Sequence, residues 1–365
     1  MEQNLIEEIL RLRVQIPFRV SHIFFIILYI MKNGAAFGVG LLSGVVLVLV
    51  VEKLTYNKDK EKMNGRNKVV FSDDQTTLVS YPSYNDIDPE IPDYPPDDGL
   101  PDSTYTIPDG VTNINKQTFS KYTSLKTINI PSSVTSIDDG AFSGCSSLTS
   151  ITVDKNNNNY ISVNGVLFNK DKTLLLLYPC AKNDTSYEIS DSVTSIGNLA
   201  FNGCTLLKTI TIPATLKRIG DYAFGNCSSL KTINIPSSVT SIGDYAFFDC
   251  TLLETVTIST DSQLTTIGNA AFYACKSLTT ITIPSAVTTI GYSAFSQCSS
   301  LETVTISTDS QLTSIGSSAF SGCSSLVPFP IPPSVTTVGD DIFKGCKSPS
   351  KGGKRGKGGK KKCET

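Results

Sequence analysis

A phenylalanine recurs through about two-thirds of this chain of 365 residues at a nearly constant interval. The intervals between successive copies are 23, 59, 23, 23, 25, 23, 25 and 23, and the commonest interval defines the repeat unit. The copies are Phe119, Phe142, Phe201, Phe224, Phe247, Phe272, Phe295, Phe320 and Phe343. A fixed period of a few tens of residues is the signature of arrays whose units pack on one another. We therefore predict one cooperative stack rather than the two or three domains that length alone suggests.

The repeated unit reads V-T-S-I-G-x-x-A-F-x-x-C-x-S-L-x-x-I-x-I-P. Its L-x-x-I-x-I part alternates and is rich in β-branched residues, which predicts a short strand with the Leu and both Ile facing inward. Pro ends that strand, and V-T-S-I forms a second extended piece. The A-F-x-x-C part fits a single helical turn that carries Phe into the interior. The Gly before it permits a turn with positive φ. These glycines are Gly197, Gly220, Gly243, Gly268, Gly291, Gly316 and Gly339.

A single unit cannot fold alone. It buries about six apolar side chains at roughly 1.5–3 kcal/mol each, whereas ordering its residues costs on the order of 1.5 kcal/mol apiece. Stacked coils bury both neighbours' faces, which predicts a β-rich α/β solenoid of about ten coils. Loops at 259–264 and 307–312 account for the two slightly longer intervals. The one long interval, between Phe142 and Phe201, holds an irregular unit, 154–189, in which Asn164-Gly165 predicts a hairpin.

The recurring I-G-x-x-A-F-x-x-C-x-S-L-x-x-I-x-I-P resembles the BspA-type (Treponema pallidum class) leucine-rich repeats. The resemblance covers residues 104–346, and the N-G-V-L-F-N-K-D-K-T-L-L-L-L-Y-P stretch resembles irregular units of that family. It implies a curved right-handed solenoid used for recognition, often on the surfaces of host-associated bacteria, protists or large viruses. Known members act as adhesins or have no assigned ligand. This chain departs from the family in its N-terminal segment, its basic tail, and Tyr122 where the first unit should have Cys.

Four further segments flank the array. Residues 1–33 form a charged N-terminal segment, and 34–51 carry no charge and would span roughly 27 Å as a helix, which predicts one transmembrane helix. A buried core helix and a secretory signal ending near Ala35-Ala36 are the alternatives. Residues 52–103 contain six Pro and predict an extended, disordered linker. Residues 347–365 predict a disordered basic tail that could contact an anionic partner.

The orientation of the predicted span is a conflict within the sequence. A cluster of cations follows it closely and places the C-terminal side in the cytosol by the positive-inside rule. They are Lys53, Lys58, Lys60, Lys62, Arg66 and Lys68. The family resemblance implies the opposite, an extracellular array. The sequence thus supports two hypotheses, a surface adhesin or receptor-like protein and an intracellular membrane-tethered scaffold.

Charge and composition argue against several other classes of function. Residues 73–102 hold nine acidic and no basic residues, whereas eight Lys or Arg lie from Lys347 onward, so the net charge of −2 excludes a globally basic nucleic-acid binder. His22 is the one histidine, which excludes Ser-His-Asp and Cys-His catalysis in the array.

No C-x-x-C pair occurs among the ten Cys. We expect no catalytic residue, no metal and no cofactor, and interpret the repeat Cys as small apolar fillers in a buried column. Disulfides between neighbouring coils remain open.

The outward positions of the L-x-x-I-x-I strands carry small polar side chains, and these are our candidate ligand-binding residues. They are Thr127, Asn129, Ser150, Thr152, Thr209, Thr211, Thr232, Asn234, Thr255, Thr257, Thr280, Thr282, Thr303 and Thr305. On a solenoid they would form two parallel rows on the concave face, suited to a protein or glycan ligand. The simpler interpretation is that Thr suits an exposed strand.

Overall fold

The computed structural model describes residues 70–80, 104–116, 118–120 and 122–348. They lie in one compact unit, 69–365. The predicted N-terminal segment (1–33) and transmembrane helix (34–51) fall outside these ranges, as does the tail beyond Ser348. Within the described ranges, no helix has the length and hydropathy that crossing a bilayer requires.

The described residues form 23 strands joined by turns, and none of them is helical. Two N-terminal strands are β1 (Val70–Phe71) and β2 (Thr77–Ser80). The L-x-x-I-x-I strands are β3 (Thr104–Thr106), β5 (Thr127–Ile130), β7 (Ser150–Val153), β11 (Ser186–Glu188), β13 (Thr209–Thr211), β15 (Thr232–Ile235), β17 (Thr255–Ile258), β19 (Thr280–Ile283) and β21 (Thr303–Ile306). The V-T-S-I strands are β4 (Asn113–Ile114), β6 (Ser136–Ile137), β12 (Ser195–Ile196), β14 (Arg218–Ile219), β16 (Ser241–Ile242), β18 (Thr266–Ile267), β20 (Thr289–Ile290), β22 (Ser314–Ile315) and β23 (Thr337–Val338). The irregular unit contributes β8 (Tyr160–Val163), β9 (Val166–Asn169) and β10 (Leu174–Leu177).

Equivalent strands of successive coils pair in parallel and build two faces of the solenoid. The L-x-x-I-x-I strands form a three-stranded sheet, β3-β5-β7, and a six-stranded sheet, β11-β13-β15-β17-β19-β21. The V-T-S-I strands β4 and β6 join the N-terminal pair in a four-stranded sheet, β1-β2-β4-β6. The other V-T-S-I strands form a ten-stranded sheet that runs from β23 through the even-numbered strands to β12 and ends with β10, β9 and β8 of the irregular unit. The strands therefore form as predicted, but each face is divided at the irregular unit.

The A-F-x-x-C part of each coil forms a third face, which we call the turn ladder: the residues from three before to three after each Phe. Here the prediction of a helical turn was wrong. Phe201 N–H donates to Ala223 O of the next coil at 2.8 Å, and the N–H groups of Leu199 and Gly203 donate to that coil in the same way. A helix would keep these donors within its own turn.

Alternating backbone conformation explains why the donors leave the coil. The residues two before and two after each Phe have positive φ in every coil from Phe142 onward in which the chain is regular. They are Gly140, Gly144, Leu199, Gly203, Tyr222, Asn226, Tyr245, Asp249, Ala270, Ala274, Ser293, Gln297, Ser318, Gly322, Asp341 and Gly345. Hydrogen bonds between coils hold non-glycine residues in this disfavoured region.

The glycine after V-T-S-I has a different role from the one predicted, since none of the seven has φ in the left-handed region. A Cβ added to Gly268 would lie 2.5 Å from the carbonyl carbon of Gly243 in the preceding coil. A Cβ on Gly316 would lie 2.4 Å from the backbone nitrogen of Tyr292. These positions need glycine because the backbones of adjacent coils are too close for a side chain.

The repeat phenylalanines form the predicted buried column. From Phe201 to Phe320 each ring stacks on the next with centroids 5.0 to 5.3 Å apart, and these rings are fully buried. The repeat cysteines lie beside them, and each thiol donates to the carbonyl of a Phe in the preceding coil, as Cys250 Sγ does to Phe224 O at 3.1 Å. The column of buried thiols is therefore confirmed from Cys145 to Cys323, with one exception, and Cys346 at its end is half-buried. Cys204 forms a disulfide with Cys180, which belongs to the irregular unit.

The stack is interrupted at the irregular unit. Phe119 and Phe142 stack at 5.2 Å in one hydrophobic core, whereas Tyr178 takes the Phe position of the next coil and stacks on Phe201 at 5.1 Å in another. We call the coils of Phe119 and Phe142 the first stack, and those from Tyr178 to Phe343 the second stack. The predicted hairpin is present as β8 and β9, with Asn164 and Gly165 at φ 50° and 81°. It lies between the two stacks.

The predicted linker, 52–103, was too long. Residues 70–80 form the antiparallel pair β1 and β2, and β2 continues in parallel onto β4 of the first stack. Leu78 is fully buried, and its carbonyl accepts a hydrogen bond from the Thr118 hydroxyl at 3.0 Å. This pair covers the N-terminal end of the first stack because the side chains of Phe71 and Leu78 pack against its core.

Candidate recognition face

The structure places ten of the fourteen candidate residues on the six-stranded sheet. In one row Thr209, Thr232, Thr255, Thr280 and Thr303 are partners in successive strands. In the second row Asn234 pairs with Thr257, Thr282 with Thr305, and Thr211 lies at the equivalent place on β13. All ten side chains are exposed, whereas the residue between each pair is buried. We call these two rows the recognition face.

The other four candidates lie elsewhere. Thr127, Asn129, Ser150 and Thr152 are on the three-stranded sheet of the first stack, which the structure does not join to the six-stranded sheet. The Asn129 amide also donates to Thr106 Oγ1 at 2.9 Å. One continuous face was predicted, and two separate ones are present because the inserted unit divides the strands.

The sequence interpretation missed the outward residues of two strands. Ser186 and Glu188 of β11 pair with Thr209 and Thr211, so they begin the recognition face. Thr104 and Thr106 of β3 pair with Thr127 and Asn129 in the same way. The signal was available, since each lies one repeat unit before its partner, but the S-Y-E and T-Y-T segments depart from the T-I-T pattern.

Hydrogen bonding distinguishes the recognition face from the other row of threonines in the molecule. Along the V-T-S-I face the Thr at the second position of the unit donates its hydroxyl to the backbone carbonyl of the preceding coil, as Thr265 Oγ1 does to Thr240 O at 3.1 Å. The same bond is made by Thr240, Thr288, Thr313 and Thr336. Within the described part of the chain, the ten side chains of the recognition face make no hydrogen bond. Their donors and acceptors remain open to a ligand.

Charge changes sign along one edge of the recognition face. The residue that precedes each strand is exposed, and it is Lys208 before β13 and Lys231 before β15. It becomes Glu254 before β17 and Glu302 before β21. Backbone bonds hold these residues in line, because Lys231 N–H donates to Lys208 O and Glu254 N–H to Lys231 O. Along this edge a ligand therefore meets Lys208 and Lys231 at one end and Glu254 and Glu302 at the other. Glu188 of β11 adds a carboxylate at the lysine end of the face.

The buried groups of the second stack offer no reactive side chain. Burial raises the pKa of the Cys227 thiol to about 12 and raises that of Cys250 well above its ordinary range. Such thiols stay protonated at neutral pH and are poor nucleophiles. Among the residues that the structure describes, no group of three or more His, Cys, Asp or Glu is placed to hold a metal ion.

Comparison with known proteins gives a family match over most of the array. The family model described as "BspA type Leucine rich repeat region" matches residues 102–174, 177–263 and 257–350, with six copies. No curated protein matches the chain.

Several solved structures are similar. A leucine-rich repeat protein from Eubacterium ventriosum is 32% identical with a TM-score of 0.60, over 68% of this chain and 66% of that one. A leucine rich cell surface protein from Faecalibacterium prausnitzii is 27% identical with a TM-score of 0.44, over 69% and 60%. The pneumococcal vaccine antigen PcpA is 23% identical with a TM-score of 0.45, over 67% of each chain. The chain thus spans slightly less than two-thirds of the first of these proteins.

Proposed function

Because this chain belongs to the BspA-type leucine-rich repeat family, we propose that it is a non-catalytic recognition module whose exposed threonine rows bind another macromolecule. The observation that carries the proposal is the contrast between its two sets of threonines. The Thr residues at the second position of V-T-S-I bond their hydroxyls to the backbone, whereas the Thr residues of the recognition face leave their hydroxyls free on the strand surface. A protein or glycan presents the many hydroxyl, amide and carbonyl groups that such a surface can bind.

We propose further that residues 34–51 anchor the protein in a membrane with the repeats outside the cell, as in a surface adhesin or receptor-like protein. The disulfide between Cys180 and Cys204 supports an oxidising compartment. The cations between Lys53 and Lys68 favour the second candidate, an intracellular membrane-tethered scaffold.

A substitution pair tests the recognition face. Thr255→Val with Thr280→Val removes two free hydroxyls at nearly constant volume, and Thr265→Val with Thr288→Val removes two that bond to backbone. The probes are a printed glycan array and an array of purified proteins. We expect the first variant to lose the binding that the parent chain shows, and the second to keep it. Equal binding by the parent and the first variant would place the ligand elsewhere.

Protease accessibility tests the location. Intact cells that express the full chain with a C-terminal tag are treated with protease, and the array is followed by an antibody to residues 104–346. Digestion is expected for the adhesin. Full protection in intact cells, with digestion after lysis, would instead support the scaffold.

A further inference from the structure

The interruption of the stack leaves an open cleft on the turn ladder. The turn around Phe142 forms one wall and the turn around Tyr178 the other, and the cleft has a cavity volume of about 130 Å³. Leu148, Leu167 and Leu176 line it along with these two rings. The cleft exists because the inserted hairpin fills the core between the stacks and adds no turn of its own to the ladder.

The wall at Phe142 carries backbone donors that every complete coil uses. In the second stack three N–H groups of each turn from Phe201 to Phe320 donate to the following coil: the Phe itself and the residues two before and two after it. Examples are Tyr222 to Asp244, Phe224 to Ala246 and Asn226 to Phe248. The equivalent donors of the Phe142 turn belong to Gly140, Phe142 and Gly144. These three N–H groups have no acceptor in the described part of the chain.

Other bonds show that the Phe142 turn is otherwise complete. Ala141, Ser143 and Cys145, the residues between and after the three donors, each bond within the coil. The three free N–H groups therefore alternate with satisfied ones and face the next position in the stack, where a neighbouring coil would present its carbonyl groups. An unpaired backbone donor beside apolar side chains is costly unless something accepts from it.

The rim of the cleft is acidic. Asp138 and Asp139 are at its edge, and Asp139 Oδ2 accepts a hydrogen bond from the Asn198 amide across the gap at 2.8 Å. The described lining contains no Lys or Arg. Two carboxylates disfavour an anion here and favour a ligand with a positive charge beside its carbonyl groups.

We propose that this cleft, which we call the donor cleft, binds an extended peptide segment of a partner protein. The peptide carbonyls accept from Gly140, Phe142 and Gly144 in the place of the missing coil, as in other cases of backbone addition to an open edge. An apolar side chain of the peptide lies against Leu148, Leu167 and Leu176, and a neighbouring Lys or Arg lies at Asp138 and Asp139. This site is separate from the recognition face, and it does not depend on the function proposed for that face.

The test uses the full chain and a displayed library of short random peptides as the probe. We expect selected peptides to share an apolar residue next to Lys or Arg. Ser143→Trp places a large ring in the cleft directly after Phe142, and it is expected to lower the affinity of selected peptides by about tenfold or more. Ser321→Trp is the matched control, since Ser321 follows Phe320 in a complete coil, and it should leave the affinity unchanged.

Amide hydrogen exchange provides a readout that a general loss of folding would not imitate. In the free protein the amides of Gly140, Phe142 and Gly144 should exchange faster than those of Tyr222, Phe224 and Asn226, and a bound peptide should slow the first set alone. Selected peptides that bind Ser143→Trp and the parent equally, or that leave these amides unprotected, would overturn the proposal. Failure of the library to yield any peptide sensitive to Ser143→Trp would also count against it.

Discussion

The two stacks share one sequence pattern, but their coils are not equally well paired with neighbouring coils. In the second stack, successive coils pair on both strand faces and along the turn ladder, so each interior Phe has a ring on either side. In the first stack Phe142 has one ring partner, and its outer neighbour is an inserted hairpin. The positions of the close-approach glycines are also occupied by Asn115 and Asp138 there. Regular spacing thus lets each coil pair fully with the next, whereas one irregular unit is enough to open a cleft in the surface.

The largest expected difference between the stacks is in how their buried thiols make stability depend on pH in alkaline solution. Burial raises the pKa of Cys227 to about 12 and raises those of Cys250, Cys275 and Cys298, all in the second stack. Unfolded thiols lose their protons from about pH 8.5. The folded state therefore holds more protons above that pH, and its stability, intact below it, falls as the pH rises through 9 toward 12. The slope is up to about 1.4 kcal/mol per pH unit for each buried thiol.

Urea unfolding followed by circular dichroism at a series of pH values measures this slope. The double variant Cys227→Ala, Cys250→Ala should show a shallower slope, and Cys145→Ala in the first stack should change it by one thiol at most. A slope that is the same in the parent and the double variant would show that these thiols are not buried in the folded protein.

Truncation of a ring is expected to cost more in the second stack. Phe247 is fully buried between Phe224 and Phe272, and Phe247→Ala should lower the free energy of unfolding by about 3–5 kcal/mol. Phe142→Ala should cost at least about 1 kcal/mol less, because solvent can enter from the donor cleft. Denaturant titration of the two variants measures the difference. Equal costs would mean that the first stack is as tightly closed as the second.

The glycine positions give a smaller effect of the same kind. Gly268→Ala brings a methyl group against the backbone of Gly243 and should cost about 2–3 kcal/mol. The control is Gly203→Ala, where no atom lies within 4 Å of the added Cβ, and about 1 kcal/mol is expected from its positive φ alone. Thermal unfolding compares the two. If Gly268→Ala were as mild as its control, adjacent coils would be able to move apart.

The smallest expected effect separates the two threonine rows of the second stack. Thr265→Val loses a hydrogen bond to Thr240 O and should lower stability by about 0.5–1 kcal/mol. Thr257→Val on the recognition face loses no internal bond and should leave stability unchanged. Denaturation midpoints measured side by side test this, and a destabilised Thr257→Val would show that its hydroxyl has an internal role.

Much of the fold could be predicted because equivalent residues of adjacent coils are separated by a nearly fixed interval in the chain. The buried Phe column, the inward Ile residues and the Asn164-Gly165 hairpin all follow from spacing and alternation. The backbone of the turn ladder could not be predicted in this way. Tyr222 and Tyr245 adopt positive φ against their own preference, since hydrogen bonds to the next coil decide their conformation.

The disulfide and the donor cleft needed the structure for another reason. Cys180 lies two residues after Tyr178, whereas each repeat Cys lies three after its Phe, so the periodic pattern does not include it. Spacing does place Tyr178 one unit before Phe201, but it does not show how the segment between Phe142 and Tyr178 fills the core. The recognition face was predicted as a set of residues, and its division into two sheets was not.

The direction of the turn ladder has a consequence for how such a protein can grow. Every backbone-to-backbone hydrogen bond between coils of the ladder runs from an N–H group to a carbonyl on the C-terminal side. Bonds in the opposite direction, such as Asp221 N–H to Asn198 Oδ1, end on side chains. Two copies of this chain could extend the ladder only head to tail, because joining two C-terminal ends would bring N–H donors against N–H donors. Duplication of a whole coil within the gene preserves that direction. Insertion of a partial coil instead leaves unpaired N–H groups on the coil that precedes the insertion.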